Sequence, residues 1–255
     1  MPQAVQQVLA WVDQPPVACQ MVVTPNLDHV VQLQSHAGLQ QAYRHAGLVL
    51  ADGWPVVSAS RWLGQPLPER VPGSDLVPAI LAAAHQRSLH QPSTEPRLRV
   101  YLLGAGPGVA TRAAARIEQQ WPGVQVVGTY SPPLGFEKSA EENKKIIDQI
   151  AAAQPQVLVV GLGAPKQELW VAAHQTQIVA NVALCVGATI DFLAGEKRRA
   201  PRWLQALGLE WLHRMLSEPR RLVKRYWHDA RAFPRLLWQE FRRSNTSPSD
   251  PASTG

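Results

Sequence analysis

Two cysteines in 255 residues exclude a disulfide scaffold. Cys19 and Cys185 both sit in apolar, strand-like runs, which predicts two buried thiols. No Cys/His cluster has zinc spacing, and no Asp-x-Asp pair offers the usual Mg²⁺ or Mn²⁺ arrangement, so metal independence is the expectation. No apolar run approaches the ~20 residues of a membrane-spanning helix. The start, Met1-Pro-Gln-Ala-Val-Gln-Gln7, lacks the basic segment and apolar core of a signal peptide, so a cytoplasmic location is expected. No repeat of solenoid length recurs. What remains, 45% hydrophobic and 17% charged residues, is the composition of a globular chain able to bury a sizeable core.

Charge is unevenly placed. Residues 196–243 hold 13 lysines and arginines against five acids, a net of +8. The remainder holds 12 against 14, so this segment supplies the whole +6 of the chain. A basic segment on a near-neutral body points to an anionic partner: membrane surface, nucleic acid or a phosphorylated substrate.

Periodicity predicts a helix over residues 3–12, a strand at Ala18–Thr24, and a helix capped by Asp28 that runs to about His45. A short strand at Leu48–Ala51 ends in Asp52-Gly-Trp-Pro55, followed by a proline-rich ordered loop over 65–73. Ser74 is the expected cap of a helix reaching about Ser88, and His90-Gln-Pro-Ser-Thr-Glu-Pro96 reads as a linker. Strands at Arg99–Leu103, Gln125–Thr129, Val157–Val160 and Ala183–Val186 alternate with helical patterns at 108–120, 138–153 and 166–177. This alternation predicts an α/β fold of parallel sheet flanked by helices. The expected organisation is an α/β catalytic body over 1–195, with halves 1–95 and 96–195. A helical appendage follows over 196–243, interrupted at Pro219 and Pro234, and then a disordered tail over 244–255.

Candidate site residues lie where strands end. Asp52 follows a short buried strand and precedes a glycine; it reads either as a general base or as the carboxylate of an ordinary Asp-Gly turn. Thr24 and Asn26 end the first strand, placed either to hydrogen-bond a sugar or nucleotide or to cap a helix. The turn Gly104-Ala-Gly106-Pro-Gly108 opens a helix after a strand, but its third glycine comes one place early for a dinucleotide fingerprint and no Gly-Lys-Ser/Thr follows. Gly163, Lys166 and Gln167 belong to a second strand–turn–helix, Val157 to Trp170, with Pro165 in the first helical turn. Asp191 follows a third strand, to accept hydrogen bonds from a base or ribose or to fix the turn. From Arg220 onward one helix side carries Arg220, Arg221, Lys224, Arg225 and His228, the other Leu222, Val223, Tyr226, Trp227 and Ala230. Such a helix suits a membrane interface, a lid over an anionic ligand, or a docked surface with a solvated basic face. The aromatics Trp203, Trp211, Trp227, Phe233, Trp238 and Phe241 favour the interface.

The ordered blocks Thr24-Pro-Asn26, Ala51-Asp-Gly-Trp-Pro55, Arg70-Val-Pro-Gly-Ser-Asp75, Gly161-Leu-Gly-Ala-Pro-Lys-Gln-Glu168, Gly187-Ala-Thr-Ile-Asp-Phe192, Arg199-Ala-Pro201 and Gly208 to Arg221 make the chain resemble the WecG/TagA/CpsF family of bacterial glycosyltransferases. The resemblance implies a Rossmann-like, inverting and metal-independent hexosyltransferase without a cofactor. It implies transfer of an N-acetylmannosamine-type sugar from UDP to a polyprenol-diphosphate-linked N-acetylglucosamine in teichoic acid or exopolysaccharide synthesis. The enzyme would sit on the inner face of the cytoplasmic membrane through residues 196–243, with no nucleic-acid partner and with homo-oligomerisation left open. By the same resemblance Asp52 is the general base, assisted by Thr24, and Arg214, Arg221 and Lys224 of the appendage close over the diphosphate. Asn26, Gly104, Gly106, Gly163, Lys166, Gln167 and Asp191 are the expected donor-binding residues. Lys224 stands where the family pattern expects arginine, with Arg225 adjacent, and lysine lacks the bidentate fork. Gly187-Ala-Thr stands where a more glycine-rich run is expected.

Two rival readings are a nucleotide-dependent oxidoreductase built on the glycine turn at 104–108 and a nucleic-acid binder built on 196–243. The first requires an acid for the ribose about 20 residues past the turn, but the second strand there ends at Thr129-Tyr130-Ser131, with no acid from that point until Glu137. The second leaves Asp52 and Pro165–Glu168 unexplained.

Overall fold

The computed structural model describes residues 1–15, 18–90, 97–197, 199–201, 203–204 and 208–246; the side chains of residues 214, 221 and 243–246 lie outside that description. Six strands pair in parallel in the order β2-β1-β6-β5-β3-β4: β1 (Gln20–Val23), β2 (Leu48–Val49), β3 (Leu98–Gly104), β4 (Val124–Tyr130), β5 (Val157–Gly161) and β6 (Val182–Cys185). The apolar strand runs are buried on both faces, as a parallel sheet covered by helices demands. Val22, Val100, Leu102, Val157, Val159, Val182 and Leu184 face α1 (Pro2–Val12), α5 (Gly73–His90), α6 (Val109–Gln120) and α9 (Thr189–Ala194). The alternate residues Met21, Val23, Tyr101, Leu103, Leu158, Val160, Ala183 and Cys185 face α3 (Ala37–Arg44), α7 (Ala140–Ala153) and α8 (Lys166–His174). The expected Rossmann-like α/β fold is therefore the fold of the protein, and strands from both sides of residue 95 share one sheet through the β1–β6 pairing.

Several local expectations need correction. Asn26, not Asp28, caps α2 (Leu27–Leu33), its side chain accepting the Asp28 N–H at 3.1 Å. Asp28 instead accepts from Gln32 at 2.9 Å. The helical run also breaks after Leu33, and α3 begins anew under a His36 cap. Trp54-Pro55 opens a further helix, α4 (Trp54–Trp62), because proline suits the first helical turn. Helix α5 starts at Gly73, one residue before the expected Ser74 cap. In the appendage, α10 (Glu210–Ser217) is followed by α11 (Pro219–Thr246), which Pro219 opens and Pro234 does not interrupt. Residues 244–246, expected in a disordered tail, continue α11. Of that tail 247–255, and of the expected linker 91–96, lie outside the described residues.

At the carboxyl edge, β3, β5 and β6 come together on glycine. Gly104 has φ +116°, and a Cβ there would lie 2.5 Å from the Gly161 carbonyl oxygen. A Cβ on Gly161 would lie 2.9 Å from the carbonyl oxygen of Gly187. Gly104 thus serves a close backbone approach, whereas Gly163, at φ +81°, has open space around it. Both cysteines are free and buried, and burial pushes the Cys19 thiol up to about 12.

The two glycines make a matched test. Gly104→Ala adds a clash to backbone strain and is expected to cost about 2–5 kcal/mol. Gly163→Ala incurs strain alone, about 1–2 kcal/mol. Urea unfolding of the two variants measures the difference, and equal losses would refute the close-approach role of Gly104.

Candidate active site

The loop that follows β2 carries Asp52 against the end of β1. The Asp52 N–H donates to the Pro25 carbonyl at 2.8 Å, so Asp52 and the Thr24-Pro-Asn26 corner form one unit. That corner is fixed from beneath by a carboxylate on α8. Glu168 is 0% exposed, and its Oε1 lies 3.3 Å from His29 Nε2 and accepts from Gln167 Nε2 at 2.8 Å. His29 Nδ1 in turn lies 3.3 Å from the Asn26 backbone nitrogen and 3.0 Å from Asn26 Oδ1, so the ring joins Glu168 to the Asn26 corner. The second Glu168 oxygen and the Tyr43 hydroxyl are buried without hydrogen bonds. Burial pushes the Tyr43 phenol up, and the charge of Glu168 adds to that.

Asn26 and Asp52 line a cavity of about 410 Å³ together with Asp28, Trp54, Arg70 and Ser74. Its far wall is the appendage: Glu210 and Trp211 of α10, and Tyr226, Asp229 and Phe233 of α11. The volume falls within the usual range of small-molecule pockets. An alternating charge network fastens this wall to the body. Arg70 Nη1 donates to Glu210 at 2.8 Å, Arg199 lies 3.7 Å from the other Glu210 oxygen, and Arg199 also pairs with Asp75. Burial pulls the Arg199 guanidinium down, but Asp75, Glu210 and Asp52 more than offset it, so it is raised and stays charged. Gly208, at φ +73°, lets the chain ahead of α10 pack on the Trp54 ring. Lys197 pairs with Glu218 at 3.0 Å, and Arg225 reaches to 3.6 Å from Asp28.

The other expected site residues are distributed around this cavity rather than within it. Thr24 is buried, its hydroxyl donating to the Cys185 carbonyl at 3.4 Å. Gln167 is also buried; it accepts the Gly187 N–H at 3.1 Å and donates to Glu168, so its amide ties two turns together and does not open toward a ligand. Lys166 pairs with Glu137 at 3.1 Å and lies over Phe136. Gly104 and Gly106 bend under Ser131, whose hydroxyl contacts both carbonyls at 3.2 Å. Asp191 lies in the first turn of α9, next to the cavity residue Phe192. Arg214 lies on α10 and Arg221 on α11, their side chains outside the described residues. Of the adjacent pair on α11, Lys224 is exposed while Arg225 turns inward. His29, Arg70, Glu210 and Asp229 received no role from the sequence. Arg70 and Glu210 at least fall in the blocks that carry the family resemblance, whereas His29 and Asp229 carry no sequence signal. Among the described residues no three His, Cys, Asp or Glu side chains converge as a metal site, and no helix is long and apolar enough to cross a membrane.

Comparison with known proteins decides what this arrangement belongs to. Residues 1–246 match the Glycosyl transferase WecG/TagA/CpsF family. The chain belongs to this family. It is an enzyme of the hexosyltransferase kind, and its relatives carry names that specify the sugar. An N-acetylglucosaminyldiphosphoundecaprenol N-acetyl-beta-D-mannosaminyltransferase of Staphylococcus aureus strain MW2 is 32% identical over 79% of this chain and 73% of its own length. The protein of the same name from strain NCTC 8325 / PS 47 shows the same identity and coverage. Family membership sets aside the oxidoreductase and nucleic-acid readings.

The charge network makes the appendage a wall of the site. Glu210→Gln should therefore speed tryptic cleavage within residues 210–242 several-fold while the melting temperature of the body stays nearly constant. Cleavage at the wild-type rate, followed by mass spectrometry, would show that Glu210 does not hold the wall.

Proposed function

We propose that this enzyme transfers an N-acetylmannosamine-type sugar from UDP to a polyprenol-diphosphate-linked N-acetylglucosamine, with inversion and without a metal. One observation carries the reading. Asp52 is a carboxylate at the carboxyl edge of the sheet, in a cavity of ligand size, in a chain whose relatives are named for that acceptor. Asp52 takes the proton of the acceptor hydroxyl as its oxygen bonds to the anomeric carbon. The bond from that carbon to the diphosphate breaks on the opposite side, and its electron pair leaves with UDP.

Stabilisation of the leaving diphosphate falls to the basic and backbone groups around the cavity. Helices α6 and α8 begin without side-chain caps beside Gly104, Gly106 and Gly163. Although the Val109 and Gln167 N–H groups already donate to the Gly106 and Gly163 carbonyls, the positive ends of both helices favour an anion there. Lys166 and the appendage residues Arg214, Arg221 and Lys224 add positive charge. Asn26 and Asp191 hold the donor, while Thr24 and Gln167 act by fixing the strand ends. Peripheral attachment to the inner face of the cytoplasmic membrane is supported by an exposed row on α11. Val223, Trp227, Ala230, Pro234, Trp238 and Phe241 recur every three or four residues, and Trp227 is 65% exposed. Arg231 and Arg242 stack on Trp227 and Trp238, 5.4 and 5.0 Å from the ring centres, an arrangement suited to an anionic interface.

Asp52→Asn is expected to lower turnover at least about a hundredfold, the span of a lost general base, while UDP binding measured by calorimetry stays unchanged. Turnover near the wild-type rate would remove Asp52 from this role.

A further inference from the structure

Asp229 has no function in the mechanism above, and its surroundings are unusual for a carboxylate. It is 1% exposed on α11, it lines the cavity opposite Asp52, and neither oxygen makes a hydrogen bond among the described residues. The nearest ring nitrogen, on His228, is 3.8 Å away. Asp28 lines the same cavity from the body side, though Arg225 and Gln32 already engage it. Burial foremost, then the charge of Asp28, raises the Asp229 carboxyl, against the pull of Arg225 and His228. A buried acceptor left unsatisfied costs stability, so a donor brought by a bound molecule would be favoured there.

The walls around Asp229 identify the class of partner. Trp54, Trp211, Tyr226 and Phe233 surround the cavity, and Trp211 and Tyr226 meet edge to face with ring centres 6.0 Å apart. Aromatic faces beside carboxylate acceptors suit a sugar ring, whose C–H face packs on aromatics while its hydroxyl and amide hydrogens donate to carboxylates. A cation is a poorer occupant, because no three metal-ligating side chains converge among the described residues. Resting on the functional reading above, we infer that Asp229 accepts a hydrogen bond from the acceptor sugar, holding that ring in the cavity with its reactive hydroxyl toward Asp52. The acceptor rather than the donor is assigned because the base of the proposed reaction shares this cavity.

The test is steady-state kinetics of Asp229→Asn with UDP-N-acetylmannosamine and a short-chain polyprenyl-diphosphoryl N-acetylglucosamine, alongside thermal unfolding. The KM for the acceptor should rise about tenfold or more, as for a lost charge-assisted hydrogen bond. The KM for the donor should stay within about twofold, and the variant should melt no lower than wild type because a buried unpaired charge is gone. Asp229→Ser is the second variant and should show the same acceptor effect. An unchanged acceptor KM, a rise confined to the donor, or loss of folding in both variants would overturn the assignment. Absence of wild-type turnover would instead remove the functional reading, and this assignment with it.

Discussion

The site depends on the ion pairs that hold a basic helical appendage against the body. Arg70, Glu210, Arg199 and Asp75 alternate in sign across the junction, and most are half-buried, so salt screens them less than it would surface pairs. Without that network Asp52 would stand on an open sheet edge. With it, Asp52 faces Trp211, Tyr226 and Phe233 across a walled cavity.

The two walls differ in how they are held. On the body side a buried carboxylate, Glu168, fixes His29, His29 fixes Asn26, and the adjoining Pro25 fixes Asp52. This chain of contacts runs through the interior from α8 to Asp52, so the placement of Asp52 is set by the fold itself. The appendage side is held by ion pairs and by few deeply buried side chains, among them Leu222. One wall fixed through the interior and a second docked by charge thus bound the cavity from opposite sides.

Much of the fold was legible because its signals are local. Continuous β-branched runs such as Val157–Val160 mark strands buried on both faces, and glycines at their ends mark where the backbones converge. Other features depend on choices that only tertiary contacts resolve. Asn26 and Asp28 are both good caps two residues apart; Asn26 took the role, leaving Asp28 to Gln32 and Arg225. Trp54-Pro55 read as the end of a strand because proline signals both breaks and helix starts. Pro234 stays within α11, and Ala230, whose carbonyl it leaves unbonded, is exposed to water. In the site, Asp52 and Asn26 were visible at strand ends. Gln167 read as ligand-facing from its place in a first helical turn, yet the Gly187 N–H and Glu168 occupy its amide. His29 and Asp229 were invisible because their meaning lies in partners 139 residues away for His29 and across a cavity for Asp229.

The central claim is a single inverting displacement onto a lipid-linked N-acetylglucosamine. Nuclear magnetic resonance of the disaccharide product formed from α-configured UDP-N-acetylmannosamine tests it most directly. Inversion at the anomeric carbon gives a β-linked product. An α-linked product, or hydrolysis of the donor without transfer, would contradict it.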